Sequence, residues 1–292
     1  MENCTSHRQS TPAPVSKTAP SPMDLDGKVA FITGGAGGIG KGIAIDIARF
    51  GGRVVVADID VESGNRTVDE LRQIGAQSLF IPTDVLDTAQ LASAIQQAAS
   101  HFGRLDILVN NAGGVRGRPF LDQAERSWRK HIDFNLISML TATQVAAREM
   151  IAAGNGGTII NIASSEGLRA APGYAVYGAC KAAMISFTRS MALELSGNGI
   201  HVHALAPDMI ATAGLDQVSI NASTAMREAR DRYIPLQKVG NVQDMGNLVV
   251  FLASGMASYL TGLTIPVDGG TLAASGWHRS PDDAAVWTLY HT

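Results

Sequence analysis

The chain has 292 residues, 46% of them apolar and only 17% charged, which is enough for one large α/β domain with a substantial core. A net charge of −3 without a run of Lys or Arg gives nucleic acid or an anionic membrane no electrostatic hold, and no apolar stretch reaches the length of a membrane span. Two cysteines, Cys4 and Cys180, make no disulfide framework, and the N-terminus shows no apolar signal segment, so the expected setting is a reducing cytoplasm.

Residues 1–24 are rich in Ser, Thr and Pro and almost free of large apolar side chains, which predicts a disordered tail. From Gly27 onward two kinds of segment alternate. Residues 28–33, 53–58, 78–82, 105–110, 158–163, 200–206 and 263–267 are short, apolar and mostly β-branched, as buried parallel strands are. Between them, Ile39, Ile43, Ile47 and Phe50, then Leu91, Ile95, Ala98 and Phe102, recur at helical spacing. Longer helices are predicted over 122–153 and 174–196. Gly51-Gly52, Gly75 and Gly103 fall where helix ends take a left-handed residue. This alternation predicts a single α/β domain over residues 25–271: a Rossmann-like, doubly wound parallel β-sheet of about seven strands with helices on both faces. Residues 272–292, with Trp277, Trp287 and Tyr290, form a C-terminal tail that could cover a pocket, pack on a neighbouring subunit, or fray.

The first strand runs directly into Thr33-Gly34-Gly35-Ala36-Gly37-Gly38-Ile39-Gly40, which opens the first helix. Gly34 permits a tight turn, Gly38 lets the backbone approach a pyrophosphate, and Gly40 lets helix and strand pack closely. The helix N-terminus then offers N–H groups to phosphates, and a ligand-free glycine turn is the alternative. Asp58 closes the second strand, where a carboxylate can accept from the adenosine ribose hydroxyls and repel a 2′-phosphate. It favours NAD over NADP, unless it merely caps the next helix. Ile39 and Ile59 are counted with this site. Asp84-Val85 and Asn111-Ala112-Gly113 follow the third and fourth strands, at the carboxyl ends where open α/β sheets bind ligands.

The second constellation is Tyr177-Gly178-Ala179-Cys180-Lys181, thirteen residues after Ser164. A phenol with pKa near 10 is a poor base at neutral pH, but a lysine one helical turn away shares its face and favours the tyrosinate. Tyr177 can then exchange a proton with a carbonyl or hydroxyl oxygen that Ser164 orients. The Tyr/Lys spacing alone occurs in many helices; the upstream serine and the glycine loop give it weight.

Taken together these motifs, with Asn135, Pro207 and Thr212 and Val267-Asp268-Gly269-Gly270, make residues 27–271 resemble a short-chain dehydrogenase/reductase. The resemblance implies that Asn135 holds a water linking Lys181 to solvent, and that Lys181 also bonds the nicotinamide ribose. It further implies that Pro207, Ile210 and Thr212 border the nicotinamide, and that the long helices pair in a homotetramer. The chain departs from the family pattern at Asp208, where Gly is common, and at His203, Cys180 and Glu166. None of these is assigned to catalysis, and no metal is expected at His201 and His203, which lack acidic or Cys neighbours.

The loops 114–120, 165–174 and 208–235 are expected to line the substrate pocket and are mainly apolar, with Arg116, Arg118 and Arg169 as solvated cations and 214–232 as a lid. The expected activity is NAD-dependent interconversion of a hydrophobic or cyclic secondary alcohol and its ketone, with a small-molecule substrate and no nucleic-acid or membrane partner. Two rivals stand beside it: an NADPH-linked reductase of ketones or 3-oxoacyl thioesters, and a dinucleotide-binding scaffold without chemistry.

Overall fold

Seven strands form one parallel sheet in the computed structural model, which describes residues 21–214 and 223–289. They are β1 (Val29–Thr33), β2 (Arg53–Asp58), β3 (Ser78–Pro82), β4 (Ile107–Asn110), β5 (Gly157–Ile162), β6 (Ile200–Pro207) and β7 (Thr264–Val267), in the order β3-β2-β1-β4-β5-β6-β7. The chain winds outward one way from β1 and the other way from β4. The switch point between them opens a crevice at the strands' carboxyl ends, and the glycine loop, Asn111 and the segment after β5 all arrive there.

Helices α1 (Gly38–Arg49), α2 (Val61–Gln73) and α3 (Thr88–Phe102) follow the first three strands. One sheet face is covered by Ile43 and Ile47 of α1 together with Val249 and Val250 of α8 (Val242–Ala253); the other by Leu91 and Ile95 of α3 and Met150 of α5 (Ser138–Ala153). The inner strands are buried on both sides, but β3 and β7 are sheet edges and only partly buried, which their β-branched composition did not foretell. Between α1 and α8 the fit is close: a β-carbon at Gly246 would lie 2.1 Å from Asp46 Oδ2.

The helix expected over 122–153 is interrupted. It begins as α4 (Glu125–Ile132), passes through one π turn (Asp133–Ile137), and continues as α5. The π turn holds Asn135, whose amide Nδ2 donates to the carbonyls of His131 and Gly114 while its Oδ1 accepts from Gly114 N. Such single turns recur at functional sites, and hydropathy periodicity does not reveal them. The helix expected over 174–196 is α6 (Ala175–Glu194).

Part of the proposed lid is α7 (Thr224–Tyr233), and the expected tail at 1–20, the lid residues 215–222 and Tyr290 lie outside the described residues. Beyond β7 the chain makes a short helix α9 (Thr271–Ala274) and an antiparallel hairpin, β8 (His278–Arg279) with β9 (Trp287–Thr288). The hairpin packs against α7, and Arg279 stacks 4.0 Å from the Trp287 ring centroid.

Candidate active site

The glycine loop, the ends of β2, β3, β4 and β5, and the segment after β6 enclose a cleft of about 750 Å³. It is lined by Gly34, Gly38, Ile39, Asp58, Ile59, Asp84, Val85, Asn111, Ala112 and Gly113 on one side and by Ser164, Tyr177, Lys181, Pro207 and Thr212 on the other. Residues from both halves of the sequence argument therefore share one cavity.

Its dinucleotide-sized end is built by backbone and short side chains. Gly34 and Gly38 adopt φ of 65° and 53°, the left-handed region that other residues enter at a cost. Thr33 Oγ1 accepts from Asn111 N and Ala112 N, each at 3.0 Å, and Asn111 Nδ2 donates to the carbonyls of Thr33 and Gly34, each at 2.9 Å. Asn111 thus straps the loop after β4 to the loop after β1. Gly40 does not line the cleft: a β-carbon there would lie 2.2 Å from Gly34 O, so it serves the close packing of α1 under the loop. Asp58 accepts from Ala36 N and Asp60 N, each at 3.0 Å, which aims its carboxylate across the loop. The alternative role of helix cap falls to Asp60, which accepts from Ser63 N.

At the other end, Ser164 stands where β5 runs out and lines the cleft with Tyr177; its hydroxyl accepts from Glu166 N at 3.2 Å. Lys181 is fully buried; its Nζ donates to Ile162 O at 2.7 Å and lies 5.5 Å from the Tyr177 ring centroid. Gly113 sits between this lysine and Asn135: a β-carbon there would be 2.8 Å from Asn135 Oδ1 and 3.4 Å from Lys181 Nζ. Asn135 is buried one layer behind the cleft. Ile210 is turned away as well, its side chain in the core and in a second cavity behind the segment.

Burial dominates the electrostatics of this end of the cleft. Burial raises the Tyr177 pKa above 10, the Ser164 hydrogen bond draws it back, and the Glu166 charge raises it again. Burial also pulls Lys181 down to about 8, about one pH unit above neutrality. Desolvation penalises both charged forms. Cys180, beside them on α6, is held above its ordinary thiol value by burial, which argues against a reactive thiolate. Among the described residues no group of His, Cys, Asp and Glu could hold a metal ion.

Sequence reasoning missed a second cluster. Arg169 is not a solvated cation: its Nη2 donates to both oxygens of Asp208, at 3.1 and 3.0 Å, and to Glu166 Oε1 at 3.1 Å, and its Nη1 donates to the Tyr233 hydroxyl. Arg116 and Arg118 are exposed. The only signal in the chain was Asp208 itself, an acid where a glycine is usual. Lys130 and Phe134, from α4 and the π turn, also line the cleft and carried no motif.

A family model described as enoyl-(acyl carrier protein) reductase matches residues 34–271. The chain belongs to the short-chain dehydrogenase/reductase family. It is 36% identical over 248 residues to the 7alpha-hydroxysteroid dehydrogenase of Escherichia coli (strain K12), covering 85% of this chain and 95% of that one. Likewise, it is 36% identical over 251 residues to the 2-dehydro-3-deoxy-D-gluconate 5-dehydrogenase of Dickeya dadantii (strain 3937), covering 86% and 98%, and 37% identical over 255 residues to the sorbitol dehydrogenase of Cereibacter sphaeroides, covering 85% and 98%. Among solved structures, a 7 alpha-hydroxysteroid dehydrogenase complexed with NADH and 7-oxo glycochenodeoxycholic acid superposes with a TM-score of 0.81 at 36% identity, covering 87% of this chain and 98% of that one. A putative 2-deoxy-D-gluconate 3-dehydrogenase from Agrobacterium tumefaciens with bound NADP does so with 0.80 at 32%, covering 87% and 99%. This dehydrogenase/reductase is an NAD(P)-dependent oxidoreductase interconverting an alcohol and a ketone. Its relatives include both NADH and NADP complexes and do not choose between the two cofactors.

Proposed function

We propose that the protein is an NAD-preferring secondary-alcohol dehydrogenase, and the observation that carries this reading is the placement of Asp58. Its carboxylate lines the cleft at the end of β2 and is fixed by two backbone N–H groups, in position to accept from a ribose diol and to repel a 2′-phosphate. Lys41, which directly follows the glycine loop, is bonded to Glu70 at 2.7 Å and so committed elsewhere.

When bound, the nicotinamide ring supplies the hydride acceptor or donor. Asp58, Ile59 and the loops ending in Val85 and Gly113 hold the adenosine side; Pro207, Ile210 through its backbone, and Thr212 border the nicotinamide. Ser164 and Tyr177, which line the same cleft, converge on one oxygen of the substrate. Ser164 orients it, and Tyr177 takes the hydroxyl proton during oxidation or returns it during reduction. Lys181 bonds the nicotinamide ribose and passes protons toward Asn135 and solvent. The raised phenol pKa makes the Tyr177 phenolate a stronger proton acceptor and the phenol a group that holds its proton until a charge arrives beside it.

The substrate read from this cleft is hydrophobic or cyclic. Lys130 and Lys181 are the cations among its described lining residues; the loop behind Ser164 carries Leu168, Ala170, Ala171 and Pro172, and its Arg169 is neutralised by two carboxylates. An apolar groove of about 510 Å³ on the outer face of α4 and α6, lined by Phe120, Trp128, Ile132, Leu136 and Val176, supports helix pairing in a homotetramer. Among the described residues no helix is long and apolar enough to cross a membrane, and a cytoplasmic setting fits the buried free thiol.

The test is absorbance at the reduced-nicotinamide band with NAD and then NADP, across cyclic, aliphatic and steroid secondary alcohols. Turnover with NAD in one chemical group is the expected result. Turnover confined to NADP would refute the cofactor assignment, and dinucleotide binding with silence across the panel would favour the scaffold.

A further inference from the structure

Asp208 follows β6 and borders the cleft next to Pro207, yet its side chain is only 8% exposed. Both of its oxygens accept from Arg169 Nη2, and Oδ2 also accepts from Thr271 Oγ1 at 2.5 Å. An N–H of the guanidinium shared between its two oxygens, together with the Thr271 hydroxyl, satisfies this carboxylate from behind the cavity wall. It is built into the wall, and its charge is spent on the protein.

Arg169 gathers the rest. Its planar fork reaches Glu166 three residues earlier in its own loop, Asp208 just after β6, and the Tyr233 hydroxyl at the last residue of α7, with the guanidinium carbon 5.9 Å from the Tyr233 ring centroid. Thr271, at the head of α9, completes the ring and also bonds Asp268 Oδ2 at 3.3 Å. One ion pair thus joins four segments distant in sequence: the loop behind Ser164, the segment that begins Pro207-Asp208, the end of α7, and the start of α9. A glycine at 208 could make none of these bonds.

The segment so held is the wall that faces the glycine loop. A β-carbon at Gly38 would lie 3.7 Å from Thr212 Cγ2, so small movements of the wall change the width of the cleft where the two sides meet. The adenosine side, built on Asp58 and the loops after β3 and β4, has no bond to the cluster.

We propose that Arg169 and Asp208 are positioning residues for hydride transfer: their ion pair, closed by Thr271 and Tyr233, sets the Pro207–Thr212 wall against the nicotinamide half of the cofactor. This rests on the dinucleotide reading given above. The pair touches neither substrate nor the reacting atoms and acts through the backbone that follows Asp208.

A ligand that lacks the nicotinamide separates this role from general damage to the fold. Calorimetric affinities for NADH and for ADP-ribose, which keeps the adenosine and both phosphates, are measured on the wild-type chain and on Asp208→Asn, Arg169→Met and Arg169→Met/Asp208→Leu, alongside melting temperatures. Each single variant is expected to weaken NADH about tenfold while ADP-ribose stays within about twofold. The double variant should recover part of the loss, because it leaves no unpaired carboxylate at 208, only the half-buried Glu166 without its partner. Should the single variants fail to fold, Thr271→Val removes one hydroxyl from the ring and is expected to weaken NADH about threefold with ADP-ribose unchanged. Equal losses for both ligands would mean a merely structural pair, and no loss for either would mean a surface ornament; both outcomes overturn the proposal. A wild-type chain that binds neither ligand would instead overturn the dinucleotide reading, and this inference with it.

Discussion

The two ends of the cleft are made of different materials. The adenosine end is built from glycine geometry, backbone N–H groups and short-range side-chain struts, with Asp58 held by two amides within its own crossover unit. The wall of the far end is braced from behind by charged side chains that meet across long stretches of chain, Arg169 reaching Asp208 at 39 positions' distance and Tyr233 at 64. A backbone-built end tolerates little change of shape, because its donors cannot move independently. A charge-built end can be retuned by single substitutions while the sheet beneath it stays the same, and there the chain departs from the usual pattern at Asp208.

The largest expected effect breaks the chemistry while sparing both ends. Tyr177→Phe removes the proton-transfer hydroxyl and should lower kcat by about 10²- to 10⁴-fold with NADH affinity unchanged. A parallel loss of NADH binding, read by fluorescence titration, would shift the role of Tyr177 from chemistry to cofactor binding.

Gly40→Ala tests how rigid the backbone-built end is. The new methyl must displace Gly34 O, which it would approach to 2.2 Å, or Asn111 Nδ2 at 2.5 Å. Destabilisation of about 1–3 kcal/mol and loss of dinucleotide binding are expected, measured by denaturant unfolding and by calorimetry. Unchanged stability would mean that α1 slides freely on the loop.

His203 offers a lever on β6, the strand that leads into Asp208. Its imidazole is fully buried and has no hydrogen-bond partner at either ring nitrogen, the Leu260 carbonyl being bonded by His201 at 2.7 Å. Burial pulls its pKa down to about 4, with the His201 charge acting in the same direction. The sign follows: the unfolded chain takes up a proton as pH falls through 6.5, whereas the folded chain does so only near 4. The contribution is therefore intact above pH 6.5 and is lost between there and about 4, costing about 2 kcal/mol from pH 7 to pH 5. Urea midpoints at the two pH values should differ accordingly, and His203→Leu should flatten the difference. An equal pH dependence in the variant would assign the acid sensitivity to other groups.

The smallest expected effect sharpens the cofactor end. Asp58→Ala should weaken NAD and raise the NADP/NAD ratio of kcat/KM about tenfold, about 1.4 kcal/mol in transition-state discrimination. An unmoved ratio would place the discrimination outside this carboxylate.

Much of the fold and of the cleft is legible in the order of the residues. The seven strands stand where their β-branched runs put them, because buried parallel strands need apolar side chains on both faces. The glycine turn is recognisable because positive φ at Gly34 and Gly38 is a local demand that few residue types meet. The π turn at Asn135 is hidden, since one extra residue in a helical ladder hardly alters hydropathy spacing. Arg169 is hidden for a different reason: a surface arginine and a clasped one have the same sequence neighbours.

The alternation of strands and helices, the phosphate-sized turn and the tyrosine–lysine face were thus determined by the sequence itself, because each depends on residues within one or two helical turns. The tertiary structure alone decided that Asp60 rather than Asp58 caps α2, that burial raises the tyrosine's pKa, and that Asp208 is spent on Arg169. Desolvation and ion pairing depend on what the rest of the chain packs around a group, and that is fixed only when distant segments close on one another.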